Sequence, residues 1–269
     1  MKEFKVTFLG TSGSIAFNAG AENRAKYGTN TSCISVEAGD ETLIFDAGTG
    51  LCGFKSANER IRIFLSHYHV DHIVGLLFLP DFFNGNKKID MYGSSSMGVD
   101  FKTVIEKFLS PPIHPVGIEV FKAQLTFNEI KAGDIINLSD GVTVRTINLM
   151  HLPVCLGYRV DYNNKSLCYL SDMGLFEHEG DGELLEFLRD ADLLILDAFF
   201  DDGKAIPGWG HSTWRECAEW AKKCGAKKLV LFHHDFKLSD SEIDARTEKA
   251  RTVFPNTFAA ADFMTIEVT

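Results

Sequence analysis

The chain has 269 residues, 45% of them hydrophobic and 24% charged, an ordinary globular composition with length enough for one large core or two small ones. A formal charge of -10 and a pI near 5.4 argue against a basic groove that tracks a long nucleic-acid backbone, because such binding neutralises many phosphates; a local positive pocket stays open. The longest apolar runs fall far short of the roughly 20 residues that span a bilayer, and no basic amphipathic segment suggests surface attachment.

In chain order, Met1-Lys2-Glu3-Phe4 leads directly into a first strand, Lys5 to Leu9, with no signal-peptide pattern. Strands are expected next at Ser32 to Glu37 and Thr42 to Phe45, joined by a Gly39-Asp40 turn, followed by a helix around Thr49 to Ala57 and a strand at Arg62 to Leu65. A helix follows at Met97 to Phe108. The segment from Pro111 to Phe127 is proline-rich with weak periodicity and reads as an irregular surface loop or dimer contact. Val142 to Leu149, Cys155 to Val160 and Ser166 to Leu170 read as strands, the last two joined by the turn Tyr162-Asn163-Asn164-Lys165. The remaining expectations are helices at Glu183 to Arg189, Ser212 to Lys223 and Asp240 to Val253 and strands at Leu193 to Leu196 and Lys228 to Phe232. The Ser212 helix has Trp214, Cys217, Ala218 and Ala221 at helical spacing, with Ser212 or His211 near its cap. No repeat or low-complexity linker interrupts the pattern, so the expectation is one domain over residues 1–269. The six cysteines form no C-x-x-C pair, which points to a reduced, cytoplasmic protein, and the 22 phenylalanines to an aromatic core.

Three of the nine histidines fall in His67-Tyr68-His69-Val70-Asp71-His72, directly after the apolar run Ile61 to Leu65. His67 and His69, two apart, cannot share a helical face, so they reach one ion only from a loop or strand end. Asp71 and His72 follow within a turn, so one loop can present ligands to two adjacent ions. The same punctuation recurs: Asp46 ends Leu43-Ile44-Phe45, His151 follows Leu149-Met150, Asp172 follows Leu170-Ser171, and His233 ends Leu229-Val230-Leu231-Phe232. Five strand ends can converge on one rim.

These residues resemble the five motifs of the metallo-β-lactamase-fold hydrolases, in order and over nearly the whole chain. The resemblance implies an α+β fold, a four-layer αββα sandwich with a two-metal site at one edge between the sheets. It implies that His67, His69 and His151 hold one divalent ion and Asp71, His72 and His233 the other, with Asp172 bridging and Asp46 orienting a ligand loop without touching metal. Zinc suits this donor set, and manganese is the alternative. His233 and His234 both qualify for the fifth motif; counting from Leu229 favours His233, and His234 would then line the pocket or hydrogen-bond a carboxylate.

Within that family, His151-Leu152-Pro153-Val154-Cys155-Leu156-Gly157-Tyr158, Gly210-His211-Ser212-Thr213 and Phe8-Leu9-Gly10-Thr11-Ser12-Gly13-Ser14, with Tyr27-Gly28-Thr29-Asn30-Thr31-Ser32, are similar to the ribonuclease Z-like phosphodiesterases. Asp172 departs from the cysteine of true β-lactamases and His69 from the glutamate of flavodiiron proteins. The expected mechanism is attack on phosphorus by a metal-bridging hydroxide oriented by Asp71, with His211 as general acid and the Ser212 helix offering N–H groups to the phosphate. His151 and Asp172 are joined by a single hairpin, which leaves no place for the basic arm that holds tRNA. That points to a small phosphodiester, a cyclic nucleotide above all, with no membrane partner, no long nucleic acid and, as in many similar proteins, a homodimer. The alternatives are a ribonuclease acting on RNA ends, a thioesterase or lactonase, and a non-catalytic metal- or nucleotide-binding module. His114 and His178 read as surface residues, Asp201-Asp202 as a solvated turn, and Trp209 and Phe200 either stack on a base or pack in the core. Base contacts would come from the loops Ala16 to Tyr27 and Asp201 to Trp209.

Overall fold

Alternating apolar residues at the edges and continuous apolar runs further in, as in the strands Leu193–Asp197 and Leu229–Phe232, lay down two seven-stranded sheets in the computed structural model, which describes residues 3–17, 24–178 and 180–269. The first sheet takes β1 (Phe4–Gly10), β2 (Cys33–Ala38), β3 (Glu41–Phe45), β4 (Arg60–Phe64), β5 (Lys88–Gly93) and β6 (Gln124–Glu129) in spatial order. The second takes β7 (Ile135–Asn137), β8 (Thr143–Leu149), β9 (Cys155–Tyr162), β10 (Lys165–Leu170), β11 (Leu193–Asp197), β12 (Leu229–Phe232) and β13 (Thr257–Ala259). A last strand, β14 (Thr265–Glu267), pairs with β1 at the edge of the first sheet. Each sheet is antiparallel on one side and parallel on the other: β3 to β6 run parallel, as do β10 to β13. Parallel strands aim their C-terminal ends at one rim, where polar loops can meet.

The phenylalanines explain what joins the sheets. Phe45 lies with its ring 5.2 Å from Phe64, and from the other sheet Tyr158 and Tyr169 approach it to 5.1 and 5.9 Å. With Phe4, Phe8 and Phe232 they form a buried layer, and each such side chain contributes about 1.5–3 kcal/mol by burial. Helices cover the outer faces. Phe101 and Ile105 of α2 (Phe101–Phe108), which follows the single turn α1 (Val70–Ile73), pack on Ile63, Ile89 and Met91. The second sheet is covered by α3 (Gly182–Leu188), α4 (Trp214–Lys223) and α5 (Asp240–Val253), with Trp214, Cys217, Ala218 and Ala221 of α4 in the same cluster as Leu194, Leu196, Leu229 and Leu231. The layers run helix, sheet, sheet, helix, the expected αββα sandwich. Among the described residues no helix is long and apolar enough to cross a membrane.

Several expected elements differ. Thr49 to Ala57 forms only a 3-10 turn, Thr49–Gly53, because Gly50 and Gly53 weaken a helix and Gly50 lies directly on the β1 backbone at Leu9. The helix expected from Met97 begins at Phe101, where Asp100 accepts a hydrogen bond from the Thr103 N–H. Strand β5 was unforeseen because it carries a buried charge, Asp90, paired with Arg60 at 2.6 Å. The half-exposed edge strand β6 takes up the end of the proline-rich segment. The cap of α4 is Thr213 rather than Ser212 or His211, in a reciprocal box with Glu216. Met1, Lys2 and part of the Ala16 to Tyr27 loop lie outside the described residues.

Candidate metal centre

Strand ends deliver the polar residues, and the backbone turns them inward. Asp46 directly follows β3, Asp172 comes two residues after β10 and His233 directly follows β12; all three adopt left-handed backbone with φ of 58°, 55° and 55°. That conformation costs a non-glycine residue free energy and persists where the surroundings fix it. Gly13 gives His233 its room, since a Cβ at residue 13 would collide with the imidazole. His67 lies in the loop between β4 and α1, Asp71 and His72 in α1, and His151 just beyond β8.

Asp46 is fully buried and organises the ring nitrogens without joining the donor clusters. It accepts hydrogen bonds from the Ser66 N–H and Oγ, from His72 Nδ1 and from the Tyr169 hydroxyl, each at 2.8 Å. His67 Nδ1 lies 2.9 Å from the same Ser66 Oγ, so its N–H donates there while the hydroxyl donates to Asp46. Both arrangements leave Nε2 as the free lone pair, which is how an outer carboxylate fixes the tautomer of a metal-binding histidine.

Among the described residues four donor sets result: His67, His69 and His151; Asp71, His72 and His233; His67, His72 and Asp172; and Asp172, Asp197, His211 and His233, the donor atoms of each lying within 4.8 Å of one another. His69 Nδ1 and His151 Nε2 are 3.1 Å apart. Asp172 Oδ2 lies 2.8 Å from His72 Nε2 and 3.4 Å from His233 Nε2, and Asp71 Oδ2 lies 3.4 Å from both nitrogens. Asp71 also accepts from the Ser14 N–H at 2.8 Å. His234 turns away: its Nε2 donates to the Ala260 carbonyl at 3.1 Å, and burial lowers its pKa to about 3, so it stays neutral.

The residues fit divalent cations. His67 Nε2 is buried and makes no hydrogen bond, and His72 Nε2 faces carboxylate oxygens of Asp172 and Asp71 at 2.8 and 3.4 Å; a lone pair in either place is costly unless an ion accepts it. Burial lowers the pKa of His67 further, keeping its lone pair available. Burial opposes charge on His72 too, yet Asp172, Asp71 and Asp46 raise its pKa well above the usual imidazole value. Burial likewise opposes charge on Asp71 and Asp172, and His72 and His233 outweigh it, holding both carboxyls well below their usual range. The buried carboxylates of Asp71 and Asp172, with Asp46 behind them, demand positive charge, which a divalent ion supplies.

His211 joins this centre through a residue that sequence reasoning passed over. Asp197, the last residue of β11 and fully buried, places Oδ2 at 2.6 Å from His211 Nδ1 and 3.6 Å from His233 Nδ1. His211 Nδ1 is also 3.5 Å from Asp172 Oδ1. Burial works against the imidazolium, but Asp197 and Asp172 prevail and raise the His211 pKa to about 9. Asp197 closes the apolar run Leu193 to Leu196 just as Asp46 closes its own, so the signal was present. Ser66, one residue before His67, gave none.

Other expected residues fall elsewhere. His114 and His178 are buried rather than on the surface: His114 Nδ1 donates to the Val116 carbonyl at 2.6 Å, and His178 pairs with Asp181 at 2.9 Å. Asp201 and Asp202 are not merely solvated, for they accept from Trp214 Nε1 and Arg215 Nε, each at 2.6 Å. The first N–H groups of the α4 entry are partly engaged by its Thr213–Glu216 box, which weakens that end as an anion site.

Residues 41–234 match the family described as Beta-lactamase superfamily domain. The chain belongs to the β-lactamase superfamily. Within it the chain is a metallo-β-lactamase-fold hydrolase, and a family that works with divalent metal fits the donor clusters above. Among curated proteins it is similar to Ribonuclease Z of Archaeoglobus fulgidus, 27% identical over an alignment of 326 positions that covers 99% of this chain and 98% of that protein. Among solved structures it shares its fold with the metallo-β-lactamase fold protein YhfI of Bacillus subtilis (TM-score 0.75, 22% identity, 99% of this chain and 100% of that one). The short form of human tRNase Z is similar too (TM-score 0.71, 24% identity, 98% and 99% covered).

These comparisons correct one expectation. Relatives named as ribonucleases match the chain from end to end, which overturns the exclusion of a long nucleic-acid partner. Net charge misled because it averages over the surface and omits the cations that a metal centre holds against phosphate.

Proposed function

We propose that the chain is a metal-dependent phosphodiesterase of the ribonuclease Z kind that cleaves an RNA phosphodiester, with two divalent ions at the clustered donors and His211 as general acid. One observation carries the reading: a carboxylate-backed imidazole, His211 on Asp197, shares Asp172 with the donor sets, so a proton donor adjoins the place where cations would sit. Similarity to Ribonuclease Z over the full chain supports RNA as the substrate. His67, His69 and His151 would hold one ion and Asp71, His72 and His233 the other, with Asp172 common to both. Bound there, divalent ions supply Lewis acidity toward a phosphoryl oxygen and lower the pKa of water toward neutrality.

The chain's own residues do the rest. Asp197 takes the Nδ1 proton of His211 in a hydrogen bond, which leaves Nε2–H to protonate a leaving alkoxide. The Ser14 N–H fixes one oxygen of Asp71, leaving the other to orient an attacking water. Zinc as the resident ion, one domain over residues 1–269, cytoplasmic location and homodimer assembly belong to the same proposal.

A second reading, hydrolysis of a cyclic nucleotide by the same donors, is favoured by a specific observation. Between His151 and Asp172 the chain makes only β9, the Asn163-Asn164 turn with φ of 51° and 58°, and β10. The Archaeoglobus alignment runs over 326 positions against the 269 residues here, so that relative carries segments this chain lacks. The test is to quantify bound metal and time the hydrolysis of a tRNA precursor, 2′,3′- and 3′,5′-cyclic nucleotides and a thioester on one sample. Precursor cleavage supports the first reading and cyclic-nucleotide turnover alone the second; activity on the thioester alone sinks both.

A further inference from the structure

The rim of the centre carries an aromatic ring that packing does not account for. Trp209 is 58% exposed, whereas Trp214 and Trp220, the other two tryptophans, are buried. It stands two residues before His211, and the intervening Gly210 passes directly against His151, where a Cβ would collide with the imidazole. The indole is therefore tethered between a candidate metal ligand and the candidate acid. Its ring lies 6.4 Å from Phe200, whose ring in turn lies 5.9 Å from His211.

The loop that presents it is tied down at several points. The Gly208 N–H donates to Glu177 Oε1 at 2.7 Å, the Trp209 N–H to the Ile206 carbonyl at 3.1 Å, and the Phe200 N–H to the Ser212 carbonyl at 2.9 Å. A loop held this way has lost its backbone freedom before any ligand arrives, so stacking on the indole it presents costs less ordering than on a mobile loop. Planar aromatic rings beside phosphate-binding groups recognise nucleobases, whatever the base, because every base has a π-face.

We propose that Trp209 is a stacking platform for the nucleobase adjoining the phosphate at the centre. The role rests on the phosphodiesterase reading above, deepening it to substrates that carry a base beside the scissile bond.

Calorimetric titration of the zinc-loaded protein with adenosine 5′-monophosphate and with ribose 5-phosphate separates base from phosphate recognition. The Trp209→Ala variant weakens the nucleotide about 5- to 100-fold and leaves ribose 5-phosphate unchanged, and Trp209→Phe recovers most of the loss. Equal nucleotide affinity in wild type and Trp209→Ala overturns the proposal, as does a parallel loss of both ligands, which marks a loop-supporting role. Hydrolysis assays on the same samples keep the two readings apart: a base-dependent difference without phosphodiesterase activity supports the platform and removes the enzyme.

Discussion

Replacing Asp46 by asparagine tests how the centre is built without any knowledge of the substrate. Four donors converge on this carboxylate: the Ser66 N–H, the Ser66 hydroxyl, His72 Nδ1 and the Tyr169 hydroxyl. An asparagine keeps one oxygen, able to accept from two of them, and turns an NH₂ toward the others, so two buried donors lose their partner. Each unsatisfied buried donor costs about 1–3 kcal/mol, giving about 2–6 kcal/mol against the 5–15 kcal/mol by which proteins of this kind are usually stable. The lower part of that range leaves the variant folded, with a lower Tm in the metal-free state. His72 and, through Ser66, His67 lose the contact that fixes their tautomers, and metal affinity falls about 10- to 100-fold. Competition with a chelator of known affinity reads the second effect, and thermal unfolding in EDTA reads the first. The control is Tyr169→Phe, which removes one donor and leaves the carboxylate; it costs about 1 kcal/mol and leaves metal affinity unchanged. Wild-type metal affinity in Asp46→Asn would refute the claim that Asp46 sets the ligand nitrogens.

Three further outcomes follow from the same geometry. His211→Ala keeps its metal and loses about 10²–10⁴ in turnover, as read by kcat on whichever phosphodiester the substrate panel identifies; unchanged kcat removes His211 from the chemistry. Asp197 raises the pKa of His211, and an acid must hold its proton to act, so activity declines as pH rises through that pKa and Asp197→Asn moves the alkaline limb of the kcat profile to lower pH; a limb that stays put argues against the pair. Gly13→Ala pushes against the His233 ring and lowers the metal-to-protein ratio after dialysis, whereas the same change at Gly98, where nothing lies within 4 Å of the added carbon, leaves metal content unchanged.

How much of this was legible in the sequence depends on which force placed each residue. The His67 to His72 run was readable because metal chemistry alone gathers that many imidazoles behind a buried strand. The aromatic layer between the sheets was foreshadowed by the phenylalanine content, and the Asn163-Asn164 turn by its residues. Strand β5 was hidden because its Asp90 pairs with arginines of β4, an arrangement that only the neighbouring strand explains. The three-residue strands β13 and β14 are too short to show a period. Asp197 obeyed the rule that located Asp46 and Asp172, an acid closing an apolar run, yet its partner His211 lies fourteen residues further on and reaches it only through the α4 entry. Gly13 and Gly210 mark the boundary of what a sequence can say. Each reads as an ordinary turn glycine, and Gly210, with φ of 69°, is one. What fixes them is that an imidazole of the centre occupies the space a Cβ would need. A glycine that permits a turn and a glycine that admits a metal-binding ring are spelled alike, and packing alone tells them apart.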